Sequence, residues 1–281
     1  MADPIAVVYA GNEGVFDGIL ISLLSLSEHT KSPVHAYILT MTLTEQNEKF
    51  TPITQRQRAF LENTLRDANR ESRVTLLDVT DLYRETLLHS PNALSDYTPY
   101  ALLRLLLDRL PVPDKLLYLD ADTVVAGDIT PLWETDIRDC EFAAALDHYG
   151  KIFLGYHYIN TGVMLLNLPQ IRTTRLFARC IDRLNRRRIF LPDQTAMNRG
   201  VKRKKLLPGK YNEQKRDHAD TVIRHFSKTI IWHPFFPFFY TKNIKPWQVD
   251  RVKNEVTNRY NDTLDRYLIL KSQFEKETPH V

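Results

Sequence analysis

The stretch Lys115-Leu-Leu-Tyr-Leu-Asp-Ala-Asp122 decides the fold of this chain, because an apolar run passes directly into two aspartates. Such a run predicts a strand buried on both faces of a parallel sheet. Ligands of open α/β sheets bind beyond the carboxyl ends of the strands, so Asp120 and Asp122 stand where a ligand would bind. Hard cations such as Mg²⁺ or Mn²⁺ prefer carboxylate oxygens. The alternative is that one aspartate caps the following turn.

Strand and helix patterns alternate outward from this stretch. Strands are predicted over residues 5–10, 34–40, 74–78, 115–120 and 142–147 and within 158–168. Helices are predicted over residues 16–28, 54–69, 99–109 and 171–188. This order predicts an α/β fold with a mostly parallel sheet. An aromatic stretch over 232–240 and a helix-compatible stretch over 247–276 follow, so we expect one α/β domain with a C-terminal helical tail.

The composition is that of a globular protein. The 281 residues are 43% hydrophobic and 26% charged, which excludes wholesale disorder. No apolar run approaches the roughly 20 residues of a membrane span. The chain starts Met-Ala-Asp-Pro without a basic segment, so we expect no signal peptide and a cytoplasmic location. The two cysteines, Cys140 and Cys180, are too few for a disulfide framework and are expected to be reduced core residues.

Positive charge is concentrated in residues 172–216, which hold 15 Lys or Arg against 3 Asp or Glu. Such asymmetry suggests a surface that meets something anionic. Five arginines at helical spacing are predicted to form one basic face: Arg172, Arg175, Arg179, Arg183 and Arg186. The face could contact an anionic membrane, or it could simply be solvated.

Short polar side chains stand at the ends of other apolar runs. Asp147, Asn160 and the pair Asp193-Gln194 all suit hydrogen bonding to hydroxyl-rich ligands, although each could also be a cap or turn residue. The first strand ends in Ala10-Gly-Asn-Glu-Gly14, which allows close backbone approach. It is not the dinucleotide fingerprint G-x-G-x-x-G.

Taken in order, these motifs resemble those of glycosyltransferase family 8. The matching stretches are Tyr100-Ala-Leu-Leu-Arg-Leu105, the two aspartates, Asn160-Thr-Gly-Val-Met-Leu-Leu-Asn167, Asp193-Gln194, His225 and Lys245-Pro-Trp247. The resemblance implies a glycosyltransferase-A fold over residues 1–247 and a helical tail over 248–281. It also implies a retaining transfer of a hexose, galactose or glucose, from a UDP-sugar, with Mn²⁺ (or Mg²⁺) as the cofactor.

The resemblance also assigns roles to residues. It implies a metal site at Asp120, Asp122 and His225, and a catalytic glutamine, Gln194, whose neighbour Asp193 helps to hold the sugar. The donor-binding positions that it implies are Ala10, Asn12, Arg104, Ala121, Asp147, Asn160, Thr161 and Lys245. The acceptor would be a glycan or glycolipid, in the synthesis of cell-surface polysaccharide or lipopolysaccharide.

Two stretches depart from the family pattern. The first loop, Asn12-Glu-Gly14, lacks the acidic pair that family members commonly have there for uracil and ribose. Lys245 lies 20 residues after His225, much further than usual, so either Lys228 or Lys245 could reach the diphosphate, and Lys245 is favoured. The aromatics of 232–240 could be core, an acceptor wall or a membrane-touching loop.

Two other classes of function remain open from the sequence. One is a nucleotidyltransferase that makes nucleotide-sugars, although the first loop lacks the basic residue that it would need. The other is a non-catalytic module that binds nucleic acid or an anionic surface. Aromatic residues are not interleaved with the basic stretch, and this argues against nucleic acid as a partner. The donor sugar, the acceptor and the oligomeric state do not follow from the sequence.

Overall fold

The structure, a computed structural model, describes residues 4–93, 99–232 and 239–277. Its strands, in chain order, are β1 (Ile5–Ala10), β2 (Val34–Thr40), β3 (Arg73–Asp78), β4 (Lys115–Leu119), β5 (Thr123–Val125), β6 (Phe142–Leu146), β7 (Ile159–Asn167), β8 (Lys204–Leu207), β9 (Ile223–His225), β10 (Thr229–Trp232) and β11 (Phe239–Lys242). Seven of them form one sheet in the order β3-β2-β1-β4-β7-β6-β8, and the pairs β5-β9 and β10-β11 stand apart from it.

The central sheet is mostly parallel, which confirms the predicted fold class. Only β7 runs antiparallel to its two neighbours, β4 and β6. Strand order reverses at the centre, because β1 pairs with β2 on one side and with β4 on the other. The ends of β1 and β4 therefore frame the crevice in which ligands of open α/β sheets bind.

Helices cover both faces of the sheet. They are α1 (Phe16–His29), α2 (Gln55–Ala68), α3 (Thr80–Thr86), α4 (Thr130–Trp133), α5 (Gly150–Phe153), α6 (Leu168–Thr174), α7 (Leu176–Arg186), α8 (Pro192–Gly200), α9 (Val249–Glu255) and α10 (Asn261–Lys276). Three further segments are 3-10 helices: Glu13–Val15, Pro99–Arg109 and Gly209–Tyr211. The helix predicted at 99–109 is thus present, with the tighter 3-10 hydrogen bonding.

The alternation of side chains along β4 divides the core into two layers. Leu117 and Leu119 belong to the layer that α1 covers. Leu116 and Tyr118 belong to the opposite layer, with residues of the 99–109 helix and α7. Each fully buried leucine stabilises the fold by about 1.5–3 kcal/mol. This two-sided burial holds the end of β4, and so the two aspartates that follow it, in a fixed position.

The prediction of a single basic helix over residues 171–188, after β7, is wrong. The chain breaks at Arg175, whose φ of 55° is left-handed, and this residue separates α6 from α7. Arg172 pairs with Asp114 at 3.0 Å, and Arg179 lies 3.6 Å from the buried Glu141. Arg186 also pairs with Asp182, at 2.8 Å. The five arginines therefore do not form one face of one helix, and three of them serve intramolecular ion pairs.

The last helix, α10, packs on α1. Lys271 of α10 pairs with Asp17 at 2.7 Å, and Thr263 donates to Glu28 at 2.5 Å. Leu264 and Tyr267 are buried in the same core layer as α1. The helices predicted after Trp247 are thus present, while the division into a domain over 1–247 and a tail over 248–281 stays a prediction.

The predicted aromatic stretch is only partly described. Its two ends form an antiparallel hairpin, in which β10 pairs with β11. Residues 233–238 lie outside the described residues. Tyr149 ties the hairpin to the main body, because its hydroxyl donates to the Ile230 carbonyl at 2.9 Å.

Candidate active site

Asp120 is oriented by two side chains that bond to one of its oxygens. Arg104 donates to Asp120 Oδ1 at 2.8 Å, and the Tyr118 hydroxyl donates to the same oxygen at 3.1 Å. Tyr118 lies two residues earlier, so the alternation of the strand brings it to the same side. The second oxygen, Oδ2, is left facing His225, whose Nε2 lies 3.7 Å away.

His225 reaches the aspartates through the small β5-β9 ladder. In this antiparallel pair His225 stands opposite Thr123, one residue from Asp122. Its Nε2 lies 3.2 Å from Asp122 Oδ1. One donor atom each from Asp120, Asp122 and His225 lie within 4.8 Å of one another. Carboxylate and imidazole donors at this spacing fit a divalent cation such as Mn²⁺.

The site requires a glycine at position 162. A Cβ there would lie 2.2 Å from His225 Cε1 and 2.9 Å from Asp120 Oδ2. Both distances are far below ordinary van der Waals contact, so His225 and Asp120 approach each other only because β7 has no side chain at this point. The motif Asn160-Thr-Gly162 therefore contributes to the cation site as well as to the pocket beside it.

Lys245, and not Lys228, lies at the aspartates. Its Nζ contacts Asp122 Oδ2 and donates to the Phe226 carbonyl at 3.1 Å. Lys228 is exposed. Burial raises the pKa of Asp122, but the Lys245 charge and the contact with His225 outweigh this effect and hold that pKa below its usual value. Asp122 is therefore held in its ionised form, which is the form that binds a cation.

A pocket of amides and carboxylates adjoins the aspartates. Asp147 follows β6, and its Oδ2 accepts from Asn160 Nδ2 at 2.9 Å and from Gln194 Nε2 at 3.2 Å. Gln194 Oε1 accepts from the Thr161 backbone N–H at 3.1 Å. Three elements, β6, β7 and α8, therefore meet in one hydrogen-bonded group.

Asp193 closes this pocket on the side of Arg104. Its Oδ2 accepts from the Thr161 hydroxyl at 3.2 Å and lies 3.4 Å from Arg104 Nε. Burial raises the pKa of Asp193, and the Arg104 charge only partly offsets this effect. Because the Arg104 guanidinium also binds Asp120, it joins the pocket to the cation site.

The predicted first-loop residues lie at the β1 side of the crevice. Ala10 ends β1, and the Asn12 side chain donates to the Lys49 carbonyl at 2.9 Å. Ala121 is brought against α1, because a Cβ at Gly18 would lie 2.4 Å from its carbonyl oxygen. Because Gly18 has no side chain, the turn that holds Asp120 and Asp122 can lie directly against α1.

Asn212 is a site residue that was not predicted from the sequence. This buried residue faces His225 Nδ1 with its Oδ1 at 3.1 Å and donates to Asn160 Oδ1 at 3.0 Å. It lies in an irregular segment next to the 3-10 turn Gly209–Tyr211, where no periodic pattern or motif marks it. Tyr118, also missed, could have been found from its spacing of two to Asp120.

The fold is the glycosyltransferase-A fold. Crystal structures of the galactosyltransferase LgtC with donor and acceptor sugar analogues superpose with a TM-score of 0.66 at 18% identity, over 96% of both chains. An active-site mutant of LgtC gives a TM-score of 0.68 at 19% identity, again over 96% of both chains. At this level of identity the likeness shows the fold alone.

The sequence profile of Glycosyl transferase family 8 matches residues 6–250, and the chain belongs to this family. Glycosyltransferase GlyE of Streptococcus pneumoniae is 27% identical over 98% of this chain and 65% of its own length. A lipopolysaccharide 1,2-glucosyltransferase of Escherichia coli is 28% identical over 57% of this chain and 59% of its own. The chain spans less than two thirds of the length of these relatives. Across the described ranges, no helix has the length and apolar character that crossing a bilayer demands.

Proposed function

We propose that this chain transfers a hexose from a UDP-sugar to a glycan or glycolipid acceptor with retention at the anomeric carbon. The observation that carries the proposal is the adjacency of two groups. Asp120, Asp122, His225 and Lys245 form a site suited to a cation and a diphosphate, and a pocket of amides and carboxylates suited to sugar hydroxyls adjoins it.

Asp120, Asp122 and His225 would hold Mn²⁺ or Mg²⁺. The donor set fits, and Gly162 leaves room for the two acidic residues and the imidazole to converge. When bound, the cation would supply Lewis-acid stabilisation of the departing UDP. Lys245, whose Nζ lies at Asp122, would bind the diphosphate and add a second positive charge there.

The pocket would bind the hexose. Asp147 and Asn160 offer acceptor and donor atoms to hydroxyl groups, and Asp193 is held for the same task by Arg104 and Thr161. The neighbouring proteins carry names of both glucosyl- and galactosyltransferases, and these two sugars differ in the orientation of one hydroxyl. A hexose is therefore the donor class that we propose. Uridine would lie at the β1 end, beside Ala10, Asn12 and Ala121.

Retention would follow from attack on the face that UDP leaves. The bond between the anomeric carbon and the diphosphate oxygen breaks, the acceptor oxygen forms the new bond, and its proton passes to the departing phosphate. Gln194 is a neutral amide and a poor nucleophile, so its task would be to stabilise positive charge at the anomeric carbon. A covalent sugar trapped on Asp193 or Asp147 would contradict this scheme.

We further propose that the protein is cytoplasmic and contacts an anionic membrane peripherally. Three apolar side chains near the pocket are strongly exposed: Ile152 (64%), Tyr156 (79%) and Phe190 (72%). Arg187 and Arg188, both exposed, lie three and two residues before Phe190. Apolar side chains beside arginines favour an anionic bilayer surface. We expect binding to anionic liposomes at low salt and release at high salt, and absence of binding at low salt would end this proposal.

The deciding experiment measures UDP release by the purified protein with Mn²⁺ and a panel of UDP-sugars. Metal-dependent turnover of one UDP-hexose, lost in Asp122→Asn, would establish the reaction class and the donor together. Asp128→Asn is the matched control, because Asp128 follows β5, is exposed and accepts a hydrogen bond from the Thr130 backbone N–H, away from the three proposed metal ligands. Turnover that persists without a divalent cation, or in Asp122→Asn, would refute the proposed site.

A further inference from the structure

Four buried or half-buried side chains connect the sugar pocket to the cation site through consecutive hydrogen bonds. The chain runs from Asp147 to Asn160 (2.9 Å), from Asn160 to Asn212 (3.0 Å) and from Asn212 to His225 (3.1 Å). Asn160 is 6% exposed, Asn212 2% and His225 4%, so bulk water does not compete for these bonds. Their strength and direction are therefore set within the protein.

Asp147 fixes which group donates and which accepts in this series of hydrogen bonds. Its Oδ1 accepts from the backbone N–H groups of Tyr149 (3.1 Å) and Gly150 (2.6 Å). Its Oδ2 accepts from Asn160 and Gln194. With four donors around it, the carboxylate acts only as an acceptor, and Asn160 must present its NH₂ group to it.

Asn160 is fixed a second time from the backbone. The Gly162 N–H donates to Asn160 Oδ1 at 2.9 Å, which requires the oxygen, and not the nitrogen, at that position. The same oxygen faces Asn212 at 3.0 Å. Because that oxygen can only accept, Asn212 must direct its NH₂ group toward Asn160 and its Oδ1 toward His225.

His225 Nδ1 therefore meets an acceptor and carries the proton in the neutral imidazole. The lone pair is then on Nε2, the nitrogen that faces Asp122 and Asp120. We propose that Asn212 is a positioning residue that fixes the tautomer and the ring orientation of His225 for the cation. The inference rests on the proposed metal site and adds to it a residue that contacts neither metal nor sugar.

Two variants of Asn212 separate positioning from packing. Asn212→Asp loses the N–H that bonds to Asn160 but keeps an acceptor for His225 Nδ1–H, whereas Asn212→Leu removes both at similar volume. If Asn212 positions the imidazole, we expect Asn212→Leu to weaken Mn²⁺ binding by about 10–100-fold, as loss of such partners does at other metal sites. Asn212→Asp should bind Mn²⁺ much more tightly than Asn212→Leu. A residue needed only for packing would give the reverse order, because a buried carboxylate costs more than a buried leucine.

The measurement is the Mn²⁺ affinity of the whole chain with UDP present, from the electron paramagnetic resonance signal of free Mn²⁺. Electron spin echo modulation from the imidazole nitrogen reports whether His225 still binds, independently of turnover. Asn92→Leu is the matched control, because Asn92 is a buried asparagine that bonds to the carbonyls of Leu184 and Arg187, in no contact with this chain of bonds. Its Mn²⁺ affinity should match that of the wild type.

The variants of His225 and Asn212 test the metal site and the role of Asn212 separately. Wild-type Mn²⁺ affinity in His225→Ala would refute the metal site itself. Loss of affinity in His225→Ala with no change in Asn212→Leu would overturn only the role of Asn212, as would equal losses in both Asn212 variants. If Asn212→Leu does not fold by circular dichroism, the smaller Asn212→Val takes its place with the same expectation.

Discussion

The two halves of the candidate site are built by different means. The metal half consists of Asp120, Asp122, His225 and Lys245, and the sugar half consists of Asp147, Asn160, Asp193 and Gln194. In the metal half, Lys245 forms an ion pair with Asp122, and His225 contacts the same aspartate. In the sugar half, oriented amides and hydroxyls surround two carboxylates. The first arrangement suits a cation and a diphosphate, and the second suits the hydroxyl groups of a neutral sugar.

Two aspartates show the consequence of this difference. Both are buried, which raises the pKa of each carboxyl group. At Asp122 the Lys245 charge and the contact with His225 overcome the effect of burial, and the pKa falls below its usual value. At Asp193 the Arg104 charge does not overcome the effect of burial, and the pKa is raised. The folded protein therefore binds a proton at Asp193 more tightly than the unfolded chain does. As the pH rises from the pKa of Asp193 in the unfolded chain to its raised pKa in the folded protein, the free energy of unfolding falls.

The largest effect is expected from a single methyl group in the metal half. Gly162→Ala would place a Cβ 2.2 Å from His225 Cε1 and 2.6 Å from Nδ1, and would push the ring away from the aspartates. We expect Mn²⁺ affinity to fall by about 100-fold, and turnover by at least as much, with all charges retained. Calorimetric Mn²⁺ titration and UDP release measure the two quantities.

Gly209→Ala is the control for this variant. A Cβ at Gly209 meets nothing within 4 Å, although the glycine belongs to the 3-10 turn that precedes Asn212. Affinity and turnover of Gly209→Ala should equal those of the wild type. Normal Mn²⁺ binding by Gly162→Ala would mean that His225 is not part of the metal half.

A change in the sugar half should lower turnover and leave metal binding unchanged. In Gln194→Ala the amide that faces Asp147 and Thr161 is lost. If Gln194 stabilises positive charge in the transition state, kcat should fall by about 100-fold. Mn²⁺ affinity and the KM for the donor should change little, and both are measured on the same sample. An unchanged kcat would remove Gln194 from the mechanism.

The sequence was sufficient to predict the scaffold and the position of Asp120 and Asp122 at the end of a buried strand. Buried strands such as β1 and β4 are continuous apolar runs, and the two aspartates directly follow one of them. The fold class follows from this pattern because apolar periodicity depends on local sequence. His225 required the family resemblance, since its approach to Asp122 depends on the pairing of β5 with β9, about 100 residues apart in the chain.

The remaining features depend on tertiary contacts that have no local signature. The break at Arg175 separates α6 from α7, although the arginine spacing is that of one helix, because a left-handed residue costs only local strain that packing can offset. Asn212 acquires its role from partners on β7 and β9, and no spacing in its own segment indicates it. Lys245 and Lys228 could be distinguished only once both were placed relative to Asp122.

The smallest effect is expected at Thr161, where the two halves meet. Its hydroxyl donates to Asp193 at 3.2 Å and lies 3.4 Å from Gln194 Oε1. Thr161→Val removes the hydroxyl at nearly constant volume, while Arg104 still holds Asp193. Loss of one such bond costs about 1 kcal/mol, so we expect kcat to fall by about 5-fold with Mn²⁺ affinity unchanged.

Thr64→Val serves as the matched control, because Thr64 is a buried threonine of α2 whose hydroxyl donates to the Phe60 carbonyl, away from the site. It should lower the melting temperature without changing kcat. A 100-fold loss in Thr161→Val would mean that Asp193 depends on this hydroxyl more than on the Arg104 charge. Weakened Mn²⁺ binding in that variant would mean that the two halves are coupled through β7, and the separation drawn between them would then fail.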